Sequence, residues 1–381
     1  MRQRLVLGGG GASGLLVVDA DSGRVICGRA AKRPRILASN MKLFTTAAAL
    51  HRFGPRHRIQ TDLLAQGRID KRGVLHGDLH LLGSGDPALG SPAFYNRFLG
   101  GLGTNLFGLR RGVRDAGIRK VAGRLYYDDS VFDRRRGVAD SGYATSPYIG
   151  PLSGLSFNSG YGNSRGSGFA SDPARLAAAK LAKALRRAGV AIGGAARGAA
   201  SGAAPRVASV RSPTMEQLAE TTNVPSNNFF AEMLLKLLGA RFGAGGSTAA
   251  GATVVERFAR SRGSGLHAAD GSGLTRSNRA SPLHVVRLLR SARRSYIADP
   301  YIQGLALTGR EGTVDDRTDG TAAEGRCRAK TGTLTGVSAL SGYCFNRSGR
   351  VMIFSILMNS VSDLYRAQRE QDRIAATIAQ Y

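Results

Sequence analysis

The chain has 381 residues, 42% of them hydrophobic and 21% charged, the balance of a globular protein and not of a disordered or fibrous one. With 54 Lys and Arg against 26 Asp and Glu its formal charge is +28, a field that attracts polyanions (nucleic acid, an anionic membrane face or acidic wall polymers), although the scattered basic residues fit equally a GC-rich genome that writes Arg for Lys, with no specific anionic partner. The absence of any apolar run of 18 residues argues against a spanning helix. Three cysteines outside any CxxC pair, and six histidines without an HExxH, argue against a disulfide framework and a metal site.

The opening Met1-Arg2-Gln3-Arg4 is basic, but only Leu5-Val6-Leu7 follows before four glycines, too short for the apolar region of a signal peptide. The start is therefore read either as truncated or as that of a chain that stays inside the cell. Residues 14–28 read as a hairpin turning at Asp21-Ser22-Gly23. Residues 39–52 read as a helix that starts at a Ser cap. From 60 to 160 the texture changes to Gly and Asp turns between short strands, with a helix over 173–189 and an Ala/Gly-rich connector over 191–206. A helix over 226–241 follows. Three apolar, β-branched segments, CRAKTGTL, GVSALSGYCF and RVMIFSILMN, suggest a meander, closed by an amphipathic helix. Strands at both ends predict one sheet built from the two termini. Residues 1–60 and 213–381 would then form one domain and residues 61–212 an insertion.

Three short motifs stand out: Ser39-Asn40-Met41-Lys42, Ser226-Asn227-Asn228 and Lys330-Thr331-Gly332. Each alone is weak, since Ser39 and Ser226 also read as helix caps and Lys330 as a charge on an edge strand. Together they point to acyl transfer. Residues i and i+3 share a helix face, so Lys42 lies within reach of the Ser39 hydroxyl. An alcohol becomes a nucleophile when a neighbouring base takes its proton, and a lysine serves once burial and nearby positive charge lower its pKa. The chain holds 8 Lys against 46 Arg, and arginine cannot shuttle protons near neutral pH. Alternation along a strand sends Lys330 and Gly332 to one face and Thr331 and Thr333 to the other, so a regular strand cannot aim all of them at one ligand. A twisted edge with a small residue at Gly332 lets a ligand backbone lie alongside.

SxxK, SxN and KTG are the motif set of β-lactamases and penicillin-binding proteins. SNMKLFTTAAAL, SNNFFAEML, DGSGLTRSNRASP and AKTGTLTGVSALSGY together resemble the D-alanyl-D-alanine carboxypeptidase/endopeptidase family, the class C low-molecular-mass penicillin-binding proteins. GDLHLLGSGDPAL and GRLYYDDSVFD resemble that family's insertion. The resemblance implies an α/β (α+β) fold: a penicillin-binding transpeptidase-like domain with a mainly antiparallel five-stranded sheet flanked by helices, plus an inserted β-rich region. It implies Ser39 as acylated nucleophile, Lys42 as its base, and Ser226 and Asn228 as proton relay and amide anchor. Lys330 would supply positive charge, Thr331 and Thr333 would bind the substrate carboxylate, and the Ser39 and Thr333 N–H groups would form the oxyanion hole. Gly332 would border the peptide, Arg276 would help orient the peptide stem, and Asp128 and Phe132 would line the groove from the insertion. The implied partners are peptidoglycan stem peptides and β-lactams as covalent inhibitors, with acidic wall polymers as a further candidate. No cofactor, metal or nucleic acid is expected, and the location would be the extracytoplasmic envelope. The chain departs from the usual motif at Asn227, where the family often has Asp, and its insertion looks shorter than in the larger members.

Gly162-Asn163-Ser164-Arg165-Gly166 matches the GxSxG of α/β-hydrolases, but it lies in a Gly/Ser-rich stretch and not between strand and helix. A β-lactamase or esterase of the same fold is the nearer rival. A catalytically silent, basic wall-binding protein is the other, and a silent protein would have no need of all of Ser39, Lys42, Ser226, Asn228 and Lys330.

Overall fold

The computed structural model describes residues 1–200 and 204–381; part of the 191–206 connector, residues 201–203, lies outside the described residues. Contacts divide the chain into two compact units, Met1–Pro55 with Met215–Gly243 and Thr248–Tyr381, and Arg56–Thr214 with Ala244–Ser247.

The first unit is built on an antiparallel sheet in the order Ala306–Leu307, Cys327–Leu334, Val337–Phe345, Val351–Asn359, Gly14–Asp19 and Val25–Arg29. The N-terminal strand pairs directly with the C-terminal one, Leu16 opposite Ser355. Six strands stand where five were expected. The extra one is the two-residue Ala306–Leu307 edge, too short to carry an alternation pattern. It pairs with Ala329 and Arg328, so among the described residues the edge from Lys330 to Leu334 has no strand partner on that side.

Every residue of Val351–Asn359 after the first is buried, as expected of a central strand covered on both faces. One face packs on the Leu364–Gln380 helix, whose Ala367, Ile374 and Ile378 meet Leu340 and Phe354. The Arg2–Gly9 helix packs on the same helix, with Leu5 fully buried. The Met41–Phe53 and Asn228–Phe242 helices pack on one another. Cys327 and Cys344, directly opposed on adjacent strands, form a disulfide with Cα atoms 4.0 Å apart, and Cys27 is free. The sequence excluded a framework of bridges, and the structure has this single cross-strand one.

The second unit holds a mixed sheet in the order Ala195–Arg197, Leu125–Asp128, Val74–Leu82, Arg58–Ile69 and Arg206–Thr214. The Pro173–Arg187 and Leu109–Asp115 helices share its core through Leu181, Leu185, Leu109 and Val113. Ala244–Ser247 joins this unit, a detail with no sequence signal. Asp133 N–H donates to the Gly246 carbonyl at 3.0 Å, and the absence of a side chain at Gly246 leaves room for Phe132. Among the described residues no helix is long and apolar enough to cross a membrane, and no group of three or more His, Cys, Asp and Glu could hold a metal ion.

Candidate active site

Ser39 lies in the single turn Ala38–Asn40 that runs into the Met41–Phe53 helix, and not at a capping position. Ala38 before it has φ 46°, a conformation costly for a residue with a side chain, and the resulting bend sets Ser39 ahead of the helix. The first N–H groups of a helix lack intrahelical acceptors and form its positive end, so the Ser39 hydroxyl stands where negative charge is favoured. Two glycines crowd this turn. A Cβ at Gly332 would stand 3.0 Å from both the Leu37 carbonyl oxygen and the Ser39 nitrogen, and one at Gly273 would overlap the Ala38 carbonyl. The KTG strand and the 270–275 loop thus touch the backbone around Ser39; a side chain at Gly273 is excluded, and one at Gly332 requires the turn to give way by a few tenths of an ångström.

Lys42, one turn on, is fully buried. Its Nζ donates to Ser39 Oγ at 3.0 Å, to Asn228 Oδ1 at 2.7 Å and to the Ser272 carbonyl at 2.7 Å. Burial pulls its pKa down to about 7, against the opposing pull of the Asp270 and Glu232 carboxyls. A substantial fraction of neutral amine at neutral pH follows.

Asn228 opens the Asn228–Phe242 helix, whose cap is Asn227, its side chain accepting from Phe230 N–H. The helix therefore starts two residues later than expected, and Ser226 precedes it with φ 59°. Ser226 N–H donates to the Asn223 carbonyl at 3.2 Å, and the Asn223 amide donates to Thr46 Oγ1 at 3.2 Å, which ties this turn to the Met41–Phe53 helix.

Lys330 is fully buried as well, and its pKa falls well below the usual lysine value, first through burial and then through the Lys42 charge. Its backbone carbonyl accepts from the Asn40 amide at 3.0 Å, locking the KTG strand to the turn that carries Ser39. Its Nζ lies 3.4 Å from Thr331 Oγ1, and Thr331 Oγ1 lies 2.7 Å from Thr313 Oγ1. Thr333 is exposed on the partner-free edge. Arg276 Nη1 donates to the Thr335 carbonyl at 2.8 Å, at the end of the same strand.

Of the residues singled out from sequence, direct bonds join Ser39, Lys42 and Asn228. Asn40, Gly332 and Thr313 link the KTG strand to them or extend it. Ser226 sits at the helix entrance without a bond to Ser39 or Lys42 among those described. Asp128 and Phe132 belong to the second unit: the Asp128 carboxylate accepts from Ser130 N–H at 2.8 Å, and Phe132 is 4% exposed. Ser164 of the GxSxG match lies in an irregular loop, with no strand directly before it and no helix directly after it.

Sequence reading missed the two carboxyls behind Lys42. Glu232, fully buried, accepts from the N–H groups of Gly271 (3.0 Å) and Ser272 (2.7 Å). Asp270, also buried, accepts from Gly273 N–H (2.7 Å), Thr275 N–H (2.6 Å) and the Asn278 amide (2.8 Å). The pair holds the 270–275 loop so that the Ser272 carbonyl faces Lys42. Burial and mutual repulsion raise the Glu232 pKa to about 8, and burial raises that of Asp270. The available signal was an acid in the otherwise apolar SNNFFAEML helix and another at the head of DGSGLT.

The D-Ala-D-Ala carboxypeptidase 3 (S13) family model matches residues 7–167 and 162–381. A D-alanyl-D-alanine carboxypeptidase of Actinomadura sp. (strain R39) is 31% identical over 456 residues, covering 98% of this chain and 82% of the relative. Among solved structures, penicillin binding protein 4 of Haemophilus influenzae superposes with a TM-score of 0.82 at 20% identity, covering 100% of this chain and 99% of the other. The penicillin G-acylated predatory endopeptidase of Bdellovibrio bacteriovorus gives a TM-score of 0.60 at 20% identity, covering 96% and 90%. At those identities the two structures establish likeness of fold. The family model and the Actinomadura relative, which span nearly the whole sequence, establish kinship, and the chain belongs to the D-Ala-D-Ala carboxypeptidase 3 (S13) family.

Proposed function

We propose that the chain is a serine D-Ala-D-Ala carboxypeptidase/endopeptidase acting on peptidoglycan stem peptides, with Ser39 as the acylated residue. The observation that carries this is Lys42 Nζ 3.0 Å from Ser39 Oγ, held at the same time by Asn228 Oδ1 and the Ser272 carbonyl. Neutral Lys42 takes the Ser39 proton as Oγ attacks the carbonyl carbon of the penultimate D-Ala. The oxyanion is met by N–H groups at the Ser39 turn and the Thr333 edge. As the C–N bond breaks, the proton passes through Lys42 and Ser226 to the departing amine, and terminal D-Ala leaves. Water, deprotonated by the same lysine, then attacks the ester and returns Ser39.

Lys330 and Thr331 fit the substrate carboxylate. Burial disfavours the Lys330 charge in the free enzyme, and an arriving carboxylate restores it, so the charge develops where the anion binds. A peptide extended along the partner-free edge from Lys330 to Leu334 gains backbone pairing. The same attack on a D-alanyl cross-link is endopeptidase action, and a β-lactam, whose strained amide is attacked in the same way, leaves a stable ester. Such substrates lie outside the cytoplasmic membrane, which supports a location in the extracytoplasmic envelope, where the +28 charge suits acidic wall polymers.

The test is release of D-Ala from a synthetic peptide ending in D-Ala-D-Ala. Wild type releases it and Ser39→Ala does not; equal release by both would refute the assignment.

A further inference from the structure

The positive charge of the second unit is concentrated. Leu109–Lys120 and Pro173–Val190, thirty residues, hold ten of that unit's 24 Lys and Arg but one of its 10 acids, Asp115. The two segments lie side by side. Val113 and Ile118 share a core with Leu181 and Val190, and Ala191 N–H donates to the Arg119 carbonyl at 2.9 Å.

Lys180, Lys183 and Arg187 follow one another at i, i+3 and i+7, on one face of the Pro173–Arg187 helix over about 10 Å. With Arg110, Phe107 and Ser164 they line a cleft of about 380 Å³ that has no acidic residue in its wall. Phe107 and Arg110 continue into a second hollow of about 720 Å³ beside Arg111 and Arg114. Its one acid, Asp115, is already paired with Arg111 at 3.6 Å. Like charges set this closely on a helix face repel one another, so the arrangement lowers stability unless an anion fills it.

We propose that this double cleft is a binding site for a linear acidic polymer of polyol or sugar units bearing phosphodiester or carboxylate groups. The row of cations matches oxyanions repeated along a flexible chain. The Ser164 hydroxyl offers hydrogen bonds to the hydroxyls between them, and the half-buried Phe107 ring offers a flat apolar face. Nucleic acid fits less well. Single strands bind on successive aromatic platforms, and the only other ring in the wall, Phe157, is 2% exposed. This goes beyond the acyl-transfer reading and does not depend on which bond Ser39 attacks.

Binding of poly(glycerol phosphate), of polyglucuronate and of a single-stranded DNA of equal charge to the full chain, at 50 and 200 mM salt, tests it. Wild type binds one or both acidic glycopolymers more tightly than DNA, and the preferred one identifies the anion. K180Q/K183Q/R187Q weakens that binding at least tenfold. R257Q/R260Q/R366Q, removing the same charge from exposed positions of the first unit, weakens it less than threefold. Equal weakening by both triple variants would show only the general field of a +28 chain and overturn the site. So would tighter DNA binding or no polymer binding by wild type. Benzylpenicillin acylation, measured in parallel, stays unchanged in both variants, so a failure here is separate from a failure of the proposed acyl transfer.

Discussion

Glu232 is joined to Lys42 by a single residue: the Glu232 carboxyl accepts the Ser272 N–H at 2.7 Å, and the Ser272 carbonyl accepts from Lys42 Nζ at 2.7 Å. The acid thus positions Lys42 through one peptide unit. With its pKa raised to about 8, above that of Lys42, Glu232 is mostly uncharged where Lys42 titrates, so it acts chiefly as the acceptor of the two N–H groups. Glu232→Gln retains that acceptor and should leave the midpoint of the acid limb within about half a pH unit of wild type, whereas Glu232→Ala, which frees the loop, should lower the rate. A pH series of β-lactam acylation rates checks this. A midpoint moved by about a full unit in Glu232→Gln would show instead that its charge acts on Lys42.

In the proposed mechanism Lys42 acts as the neutral amine, and burial pulls its pKa down to about 7, so acylation should rise with pH through that value and fall about tenfold per unit below it. Lys42→Met keeps the buried stem but has no base, and should lose acylation by at least a thousandfold while remaining folded. The stability effect has the matching sign. Between about 7 and 10.5 the unfolded chain holds a proton on this lysine that the folded chain does not, so stability gains with rising pH across that window. In Lys42→Met that part of the slope should disappear from denaturant titrations run at pH 7 and pH 9.

The two glycines beside Ser39 should respond unequally. At Gly332 a methyl group meets Leu37 O and Ser39 N at 3.0 Å, so Gly332→Ala should fold but lose about tenfold to a hundredfold in acylation, through displacement of Ser39. At Gly273, φ is 89° and the methyl overlaps a backbone carbonyl. Gly273→Ala should therefore lower thermal stability clearly as well as acylation. Thermal melts beside acylation rates separate the two effects, and equal melts would contradict this ranking.

The 14–28 hairpin, the three C-terminal strands and the Met41–Phe53, Asn228–Phe242 and Leu364–Gln380 helices were legible because their signals are local: apolar β-branched runs, turns at Gly and Asn, and 3.6-residue periodicity. The Arg2–Gly9, Met215–Asn223, Thr248–Ser261, Pro282–Arg293 and Ala298–Gln303 helices were not read. The Ala306–Leu307 strand was not, because two residues carry no period and its pairing depends on the neighbouring Cys327–Leu334 strand. Ser39 and Ser226 both read as caps, yet the structure gives the cap to Asn227 and leaves Ser39 in a bent turn, since Ala38 and Ser226 adopt positive φ that residue type does not announce. Motif spacing could bring Lys42 to Ser39 along one helix. It could not reveal Thr313 beside Thr331, or Glu232 behind Lys42, because those contacts join segments remote in sequence. Glu232 in particular reads as one polar residue on an apolar helix until the 270–275 loop is laid across it.

The most direct measurement is mass spectrometry of the intact protein and its peptides after exposure to benzylpenicillin. The account predicts one added drug mass, located on the peptide at Ser39, and none on Ser39→Ala. An adduct on any other residue, or labelling that survives in Ser39→Ala, would contradict it.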